Sequence, residues 1–387
     1  MTVLAMTGFE AAAVAVDNFR LNGTSAYSTA QVRTGSRSVR CDPASGVAGN
    51  IDFPYWTGGG TIHFGLYIAS LPSVTRGLCG AIADGVSLTS TGTLEFRDGG
   101  TLIGTSSTAL TTGVWYWLGV RYSATTGSDA PLVQINGTTE ITGQFAGALA
   151  MVIGPNDTEA SAIDIYIDDV IQETIGSFLA PSKVALLLPI SDNARAEWTA
   201  GSGGTTNLYD AVDNVPPAGL ATESNTSQIE HPGGGISSYS ANMTTYATAG
   251  VGSSDTVLAI QGMVVWGEDS ATGTKLLTYY GEGNPGWTGE SSIDVSTGDG
   301  SGATLNYAAG PPDYWNERRS AIKTTDLVIG TNITLSNSEK MAVSRGETAS
   351  RVASVCFMGM YVAWTPYVAP PVSMVVPRKV YPQLLPH

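Results

Sequence analysis

The stretch Ile163-Asp-Ile-Tyr-Ile-Asp-Asp-Val-Ile171 decides how the first half of the chain folds. Its first three isoleucines alternate with Asp164, Tyr166 and Asp168, which is the two-residue period of a strand that is buried on one face. We predict a β-strand with one face in a core and an acidic face outside it. An Asp-Asp pair breaks the alternation, and small residues and Pro181 follow, so this strand is expected to be the last one of a domain.

Composition extends this prediction to the whole chain. Charged residues make up 13% of the 387 residues, about half of the roughly 25% that is usual. The chain also holds 47 glycines and lacks long helix-forming runs, so we predict an all-β protein. The length suits two domains of about 100–200 residues each. We place two antiparallel β-sandwich domains at 1–178 and 183–365, with a linker at 179–182 and an extended arm at 366–387.

The charge balance and the cysteines exclude several classes of protein. A net charge of −15 and a pI near 4.5 argue against nucleic-acid partners, because phosphate contacts need clustered lysine and arginine. Cys41, Cys79 and Cys356 are odd in number and far apart in sequence, so we expect buried free thiols.

The first residues lack a signal-peptide pattern, and no stretch reaches the roughly 20 apolar residues of a membrane span. We expect synthesis in a cytoplasm and no membrane insertion.

Turn signals support a sandwich in the first half. The Asn136-Gly137 dipeptide is a strong signal for a tight β-hairpin. In the strand before it, Trp115, Trp117 and Val120 are the predicted core anchors.

These elements carry a family resemblance. Thr112-Gly-Val-Trp-Tyr-Trp-Leu118, the Ile-Asn-Gly hairpin and a closing Ile-Asp-Asp-Val strand resemble the concanavalin-like, laminin-G-type jelly rolls. The opening Gly8-Phe-Glu10 and closing Tyr-Ile-Asp-Asp-Val also resemble carbohydrate-binding-module jelly rolls. The resemblance covers residues 1–178 and implies a jelly-roll fold without assigning an activity.

The second half carries a different resemblance. Lys183-Val-Ala-Leu-Leu-Leu-Pro189, Trp198-Thr-Ala-Gly201 and Tyr209-Asp-Ala-Val-Asp213 are together similar to a module of virion structural proteins in tailed bacteriophages. This resemblance implies a non-enzymatic structural component of a phage virion, in the tail or on the capsid surface. Its implied partners are other virion proteins and copies of itself, and its implied location is the virion.

A carbohydrate-binding adhesin is the competing function. In such a protein a shallow aromatic surface stacks on sugar rings, and a host glycan is the partner. Tyr55, Trp56 and Trp287 lie beside glycines in predicted loops and are the glycan-binding candidates. The alternative role of these aromatics is to anchor their loops.

Structural Ca²⁺ is a second hypothesis that the jelly-roll resemblance suggests. The first and last strands of such folds can share an ion, and here they end in Glu10 and in Asp168-Asp169. Carboxylate oxygens suit Ca²⁺, and clustered carboxylates repel one another unless a cation neutralises them. The alternative is that these acids are exposed to solvent.

The C-terminal segment is predicted to be an assembly arm. Its prolines forbid helix and leave it extended, and from Thr365 onward it contains no Asp or Glu. Its docking residues are Arg378, Lys379, Val380, Tyr381, Leu384 and Leu385. We expect it to lie on the acidic flank of an adjacent subunit, and the alternative is that it folds back on its own second sandwich.

Catalysis has little support in the sequence. A glycoside hydrolase needs two converging carboxylates, and the nearest pair, Asp164 with Asp168, lacks the Glu-x-Asp pattern of the concanavalin-like hydrolases. His63, His231 and His387 are dispersed, so no metal cluster or triad is predicted. His63, at an alternating strand position, is expected to be a surface or a satisfied core residue.

Overall fold

The chain folds almost entirely as β-strand in the part that the structure describes. A computed structural model describes residues 3–10, 19–53, 60–122, 125, 127, 129–146, 152–174, 178–195, 198–200, 207–213, 229–231, 237–268, 277–282, 293–294, 305–306, 314–319, 327, 329, 338–345 and 353–368. Within them, one 3₁₀ turn at Tyr209–Ala211 interrupts the strands, and no helix is long and apolar enough to cross a membrane. The predicted all-β class is confirmed.

The strands of the first half follow the predicted spacing of alternating runs and turns. They are β1 (Val3–Thr7), β2 (Arg20–Gly23), β3 (Ala26–Ser28), β4 (Ser38–Cys41), β5 (Gly49–Asp52), β6 (Thr61–Ser70), β7 (Arg76–Gly80), β8 (Gly85–Leu88), β9 (Leu94–Asp98), β10 (Thr101–Thr105), β11 (Trp115–Arg121), β12 (Pro131–Ile135), β13 (Thr138–Thr142), β14 (Val152–Ile153) and β15 (Asp164–Glu173).

These strands form two antiparallel sheets that face each other. The first sheet has the order β13-β12-β11-β6-β15-β4-β3, with β1 also paired to β15, and the second has the order β10-β9-β8-β7-β14-β5-β2. Side chains such as Phe64 and Ile165 from the first sheet pack with Leu78 and Phe96 from the second. Cys41 lies in this core, and it and Cys79 are free and buried, as predicted, whereas the side chain of Cys356 lies outside what the structure describes.

The stretch 163–171 lies at the centre of this sandwich. Ile163, Ile165 and Ile167 are buried in the core, which confirms the predicted apolar face. The predicted break in the alternation is also present, because the pairing of β15 with β6 shifts register after Asp168 and Asp169 adopts a φ of 51°. The face expected to be outside the core is covered at Asp168 and Asp169, which are both buried, and is half-buried at Asp164.

The hairpin after β12 and the predicted core anchors on β11 can each be compared with the structure. Asn136 and Gly137 have φ values of 51° and 84°, the two positive values that a type I′ hairpin requires. Val120 lies in the sandwich core as predicted. Trp117 is also a buried core residue as predicted, although its cluster lies on the outer face of the sheet. The prediction for Trp115 is wrong, because this residue is only half-buried on the outer face.

The second half contributes twelve strands within the described residues. They are β16 (Lys183–Leu187), β17 (Pro189–Ala194), β18 (Thr199–Ala200), β19 (Ile229–His231), β20 (Ser237–Thr245), β21 (Thr256–Glu268), β22 (Leu277–Glu282), β23 (Ile293–Asp294), β24 (Leu305–Asn306), β25 (Tyr314–Arg319), β26 (Ser338–Arg345) and β27 (Ala353–Thr365). One sheet runs β18-β19-β27-β21-β25-β24, with β16 also on β27, and the other runs β17-β20-β26-β22-β23. A second core, with Trp198, Tyr239 and Met360, lies between them.

A third buried cluster joins the two sandwiches. Trp117 and Ile171 from the outer face of the first sheet pack with Val184, Met263 and Phe357 from the second half. Residues 179–182, predicted as a linker, are held in this junction.

Two hydrogen bonds hold Leu179 in the junction. Its N–H donates to His63 Nε2 at 3.0 Å, and its carbonyl accepts from Trp117 Nε1 at 3.3 Å. The junction is therefore a packed interface and not a loose tether.

Candidate functional site

A row of aromatic side chains crosses the outer face of the first sheet. Tyr67 on β6 pairs in the ladder with both Tyr166 on β15 and Trp115 on β11. The ring centroids are 5.8 Å apart for Tyr166 and Tyr67, and 5.5 Å apart for Tyr67 and Trp115. These side chains point outward because strand residues alternate between faces, while neighbours such as Ile165 and Leu66 enter the core.

Arg40 on β4 extends this row beyond Tyr166. Its guanidinium carbon lies 5.7 Å from the centroid of the Tyr166 ring, within the range of a cation–π interaction. Nε and Nη2 of Arg40 donate to the two carboxylate oxygens of Asp164 at 2.9 and 2.8 Å. Nη2 also lies 2.8 Å from the carboxylate of Asp42. We name Arg40, Tyr166, Tyr67 and Trp115 the aromatic row.

The aromatic row forms a shallow platform that solvent reaches. Tyr67 and Trp115 are half-buried, and the side chain of Arg40 is 41% exposed. Tyr166, by contrast, is only 6% exposed. The row crosses four neighbouring strands, which at about 4.8 Å per strand gives a length of roughly 14 Å. A ligand on this platform would meet the half-buried rings of Tyr67 and Trp115 and, beyond the buried ring of Tyr166, the guanidinium of Arg40.

Arg33 lies on the same face of the sheet, against Trp117, which is two residues beyond Trp115 on β11. Its guanidinium carbon lies 4.9 Å from the centroid of the Trp117 ring, and its Nη1 donates to Asp169 and to the carbonyl of Ser182. The Arg33 side chain is 14% exposed. The covered junction therefore begins beside the open aromatic row.

The paired aspartates tie three parts of the chain together. Asp168 accepts the backbone N–H of Arg33 at 2.8 Å. Asp169 accepts the Thr34 hydroxyl at 2.9 Å and the N–H of Val184, in the first strand of the second sandwich, at 2.7 Å. Burial raises the pKa of both aspartates. We name Arg33, Thr34, Asp168 and Asp169 the carboxylate clasp.

The predicted Ca²⁺ ligands Glu10, Asp168 and Asp169 lie in this region. Glu10 accepts the backbone N–H groups of Ser36 at 2.9 Å and Arg37 at 3.2 Å, and burial raises the pKa of Glu10. Among the described residues, no group of three or more His, Cys, Asp or Glu side chains is arranged to hold a metal ion. Ca²⁺ binding stays a prediction. Melting curves with and without a chelator, recorded for the wild type and for Glu10→Gln, test it. If Ca²⁺ is bound, the chelator lowers the melting midpoint of the wild type and leaves that of Glu10→Gln unchanged.

A buried polar pair lies beneath the junction. His63 is fully buried and stacks on Trp117 with ring centroids 5.9 Å apart, and burial lowers its pKa to about 3. Of the two positions expected for His63, the core one is confirmed. Its Nε2 accepts the N–H of Leu179, whereas Nδ1 has no hydrogen-bond partner among the described residues. Glu173 lies 4.0 Å from His63 Nε2, and among the described residues neither of its carboxylate oxygens has a hydrogen-bond partner. Burial raises the pKa of Glu173 to about 7.

The structure does not describe the residues chosen from the sequence for glycan binding. Tyr55, Trp56 and Trp287 are outside the described residues. The arm residues Arg378, Lys379, Val380, Tyr381, Leu384 and Leu385 are outside them as well. Sequence reasoning missed Tyr67 and Tyr166 as site residues. The signal that could have found them is their strand phase, which is opposite to that of the buried isoleucines.

Comparisons with known proteins give distant likenesses. No family model and no curated protein match the chain. Domain 4 of AbnA, a GH43 extracellular arabinanase from Geobacillus stearothermophilus, aligns with a TM-score of 0.30 and 17% identity over 45% of this chain and 93% of that one. The CBM22-1-CBM22-2 tandem domain of Paenibacillus barcinonensis Xyn10C aligns at 0.25 and 12% over 93% and 97%. Trypanosoma rangeli sialidase with the inhibitor DANA aligns at 0.28 and 14% over 40% of this chain and 28% of its own. At these values the likenesses assign neither a function nor a ligand.

Proposed function

We propose that this chain is a non-enzymatic carbohydrate-binding protein that holds an oligosaccharide on the aromatic row. The observation that carries the proposal is the alignment of Tyr166, Tyr67 and Trp115 on adjacent strands, with Arg40 at the end. The proposal moves the adhesin function expected from the sequence to a different set of aromatic residues.

The chemistry of the aromatic row fits a sugar. A sugar ring presents an apolar C–H face, which an aromatic side chain can cover, and a rim of hydroxyls that need hydrogen-bond partners. Tyr67 and Trp115 offer the apolar contact. Arg40 is held in one orientation by Asp164, so its remaining N–H donors are positioned before a ligand arrives, which reduces the entropy lost on binding.

The acidic groups near the row support binding without catalysis. Asp164 is paired with Arg40, and Asp168 is fully buried beneath its backbone donors. A hydrolase of the retaining or inverting type needs two carboxyl groups that reach the same glycosidic bond. His63 is fully buried, and its pKa near 3 makes it a poor proton donor or acceptor at neutral pH.

A glycan array followed by titration calorimetry tests the proposal. We expect the wild-type chain to bind at least one glycan, and Trp115→Ala to weaken that binding by about 30-fold. This estimate uses the roughly 2 kcal/mol that truncating a central aromatic contact costs. Tyr67→Ala should act in the same direction.

Tyr367→Ala is the matched control. Tyr367 is 58% exposed and lies after the last strand of the second sandwich, so its loss should leave glycan affinity unchanged. Equal affinity in the wild type and Trp115→Ala, with both chains folded, would move the site away from the aromatic row. An array without any bound glycan would refute the function.

The assembly role implied by the phage resemblance stays a second proposal. The observation that favours it is the junction core, which joins two sandwiches into one packed body suited to a structural component. Under this proposal the partners are virion proteins and copies of the chain, and the location is the virion. Mass spectrometry of purified particles and a map that locates the chain on them would test both statements.

A further inference from the structure

The charges around the aromatic row are unequal. Asp164 takes two N–H groups of Arg40, and Asp42 lies against the same guanidinium. Two carboxylates against one guanidinium leave one net negative charge at the polar end of the row. Arg33, on the same face, is engaged by Asp169.

We propose that the aromatic row selects uncharged glycans and rejects sugars that carry a carboxylate. This inference rests on the proposed carbohydrate function and names the ligand class. A uronate or sialate on the row would meet a guanidinium whose charge is already balanced. It would also meet two carboxylates of its own sign.

The geometry shows why an acidic sugar cannot simply recruit Arg40. An arginine recognises a carboxylate best through two parallel N–H bonds, and Asp164 already occupies the Nε and Nη2 edge of the guanidinium. The side chain of Asp42 is 44% exposed, so its charge faces the solvent from which the ligand arrives. The two N–H groups on Nη1 remain suited to single bonds with neutral hydroxyls.

The test uses matched ligands that differ by one group. An array of neutral oligosaccharides identifies a binder, and the same oligosaccharide with one primary hydroxymethyl group oxidised to a carboxylate serves as its acidic analogue. We expect the wild type to bind the acidic analogue at least tenfold more weakly. High salt should narrow the difference, because the charges at the row are partly exposed and are screened.

Two variants link the selectivity to these residues. Asp42→Asn removes one carboxylate, and Asp42→Asn with Asp164→Asn removes both and frees Arg40. We expect the preference for the neutral ligand to shrink in the first and to reverse in the second. The surface variant Asp129→Asn, on the loop before β12, should leave the ratio unchanged.

The outcomes separate this inference from the function beneath it. Equal or tighter binding of the acidic analogue by the wild type would overturn the selectivity and leave carbohydrate binding intact. An array on which the wild type binds no glycan, neutral or acidic, would overturn both. Because the comparison of the two ligands needs only the wild-type chain, a variant that fails to fold does not remove the test.

Discussion

Glu173, at the end of β15, is a buried carboxyl group for which no hydrogen-bond donor lies among the described residues. Burial raises its pKa from 4.5 to about 7, so the folded state holds a proton that the unfolded chain releases. Its contribution to stability is complete below pH 4.5 and is lost as the pH rises from 4.5 to 7. We expect Glu173→Gln to flatten the pH dependence of unfolding in this window. At pH 8 it should stabilise the protein by about 1–2 kcal/mol, after allowance for solvent screening.

Denaturant unfolding of both chains between pH 4 and pH 9 measures this effect. Glu159→Gln is the control, because Glu159 is exposed and its loss should not alter the profile. A wild-type chain whose stability stays constant from pH 4.5 to 7 would contradict the assignment to Glu173.

Single residues with a local cause were predictable from the sequence. Asn136 and Gly137 occupy the two turn positions that need positive φ, and that requirement is written in the dipeptide itself. The burial of Ile163, Ile165 and Ile167 follows from the alternation of residues along the strand. Trp115 and Trp117 share a strand phase opposite to that of Val120, so alternation puts both on the outer face. It does not predict that a distant segment covers Trp117 and leaves Trp115 half-buried.

At the scale of elements, the carboxylate clasp connects three parts of the chain: strand β15, strand β16 and the loop that precedes β4. Removing Asp169 would leave the largely buried Arg33 without its carboxylate partner and the N–H of Val184 without its acceptor. We expect Asp169→Ala to lower the free energy of unfolding by roughly 3–5 kcal/mol, the usual cost of removing one partner of a buried ion pair. Thermal and urea unfolding measure the loss.

Asp129→Ala is the matched control for this prediction, since Asp129 is exposed on a loop and surface changes usually stay within about 0.5 kcal/mol. An equally small effect of Asp169→Ala would mean that the clasp contributes no net stability.

The elements themselves were largely predictable, but their coverage was not. Strand alternation separates a sheet into two faces, yet it does not tell which partner lies on each. The outer face of β11 meets the second sandwich at Trp117, while the outer face of β6 and β11 is half-exposed at Tyr67 and Trp115. That division arises from the docking of residues 178–184, which is a long-range contact. The candidate site therefore could not be read from any single stretch.

At the scale of the molecule, the sequence predicts that the two halves fold separately, and the junction core defines the cost of separating them. A fragment of residues 1–178 keeps its own sandwich core, so it should unfold cooperatively. It would, however, expose Val3, Met6, Trp117 and Ile171, which the second half covers in the full chain. At about 1.5–3 kcal/mol for each large apolar side chain, we expect a lower melting midpoint and strong binding of a hydrophobic dye.

Circular dichroism and dye fluorescence of the fragment and the full chain provide the measurement. A fragment as stable as the full chain would show that the junction contributes no stability. A fragment without a cooperative transition would show that the first sandwich depends on the second half.

The assembly arm gives a second prediction at this scale. Val368, the last described residue, is 85% exposed. We expect deletion of 368–387 to leave both sandwiches folded and to abolish oligomers or incorporation into particles, because the deletion removes the proposed docking residues. Light scattering and melting curves of the two chains test this, and an unchanged oligomer would defeat the arm hypothesis.

The second sandwich begins and ends at the same place. Lys183 pairs with Trp364, and the hydroxyls of Ser182 and Thr365 lie 2.9 Å apart. If a ligand holds the first sandwich while the residues after Thr365 are anchored, tension can pass from the clasp across this short connection. Most of the second sandwich then carries no load. Mechanically it is a side branch of the chain and not a link in series.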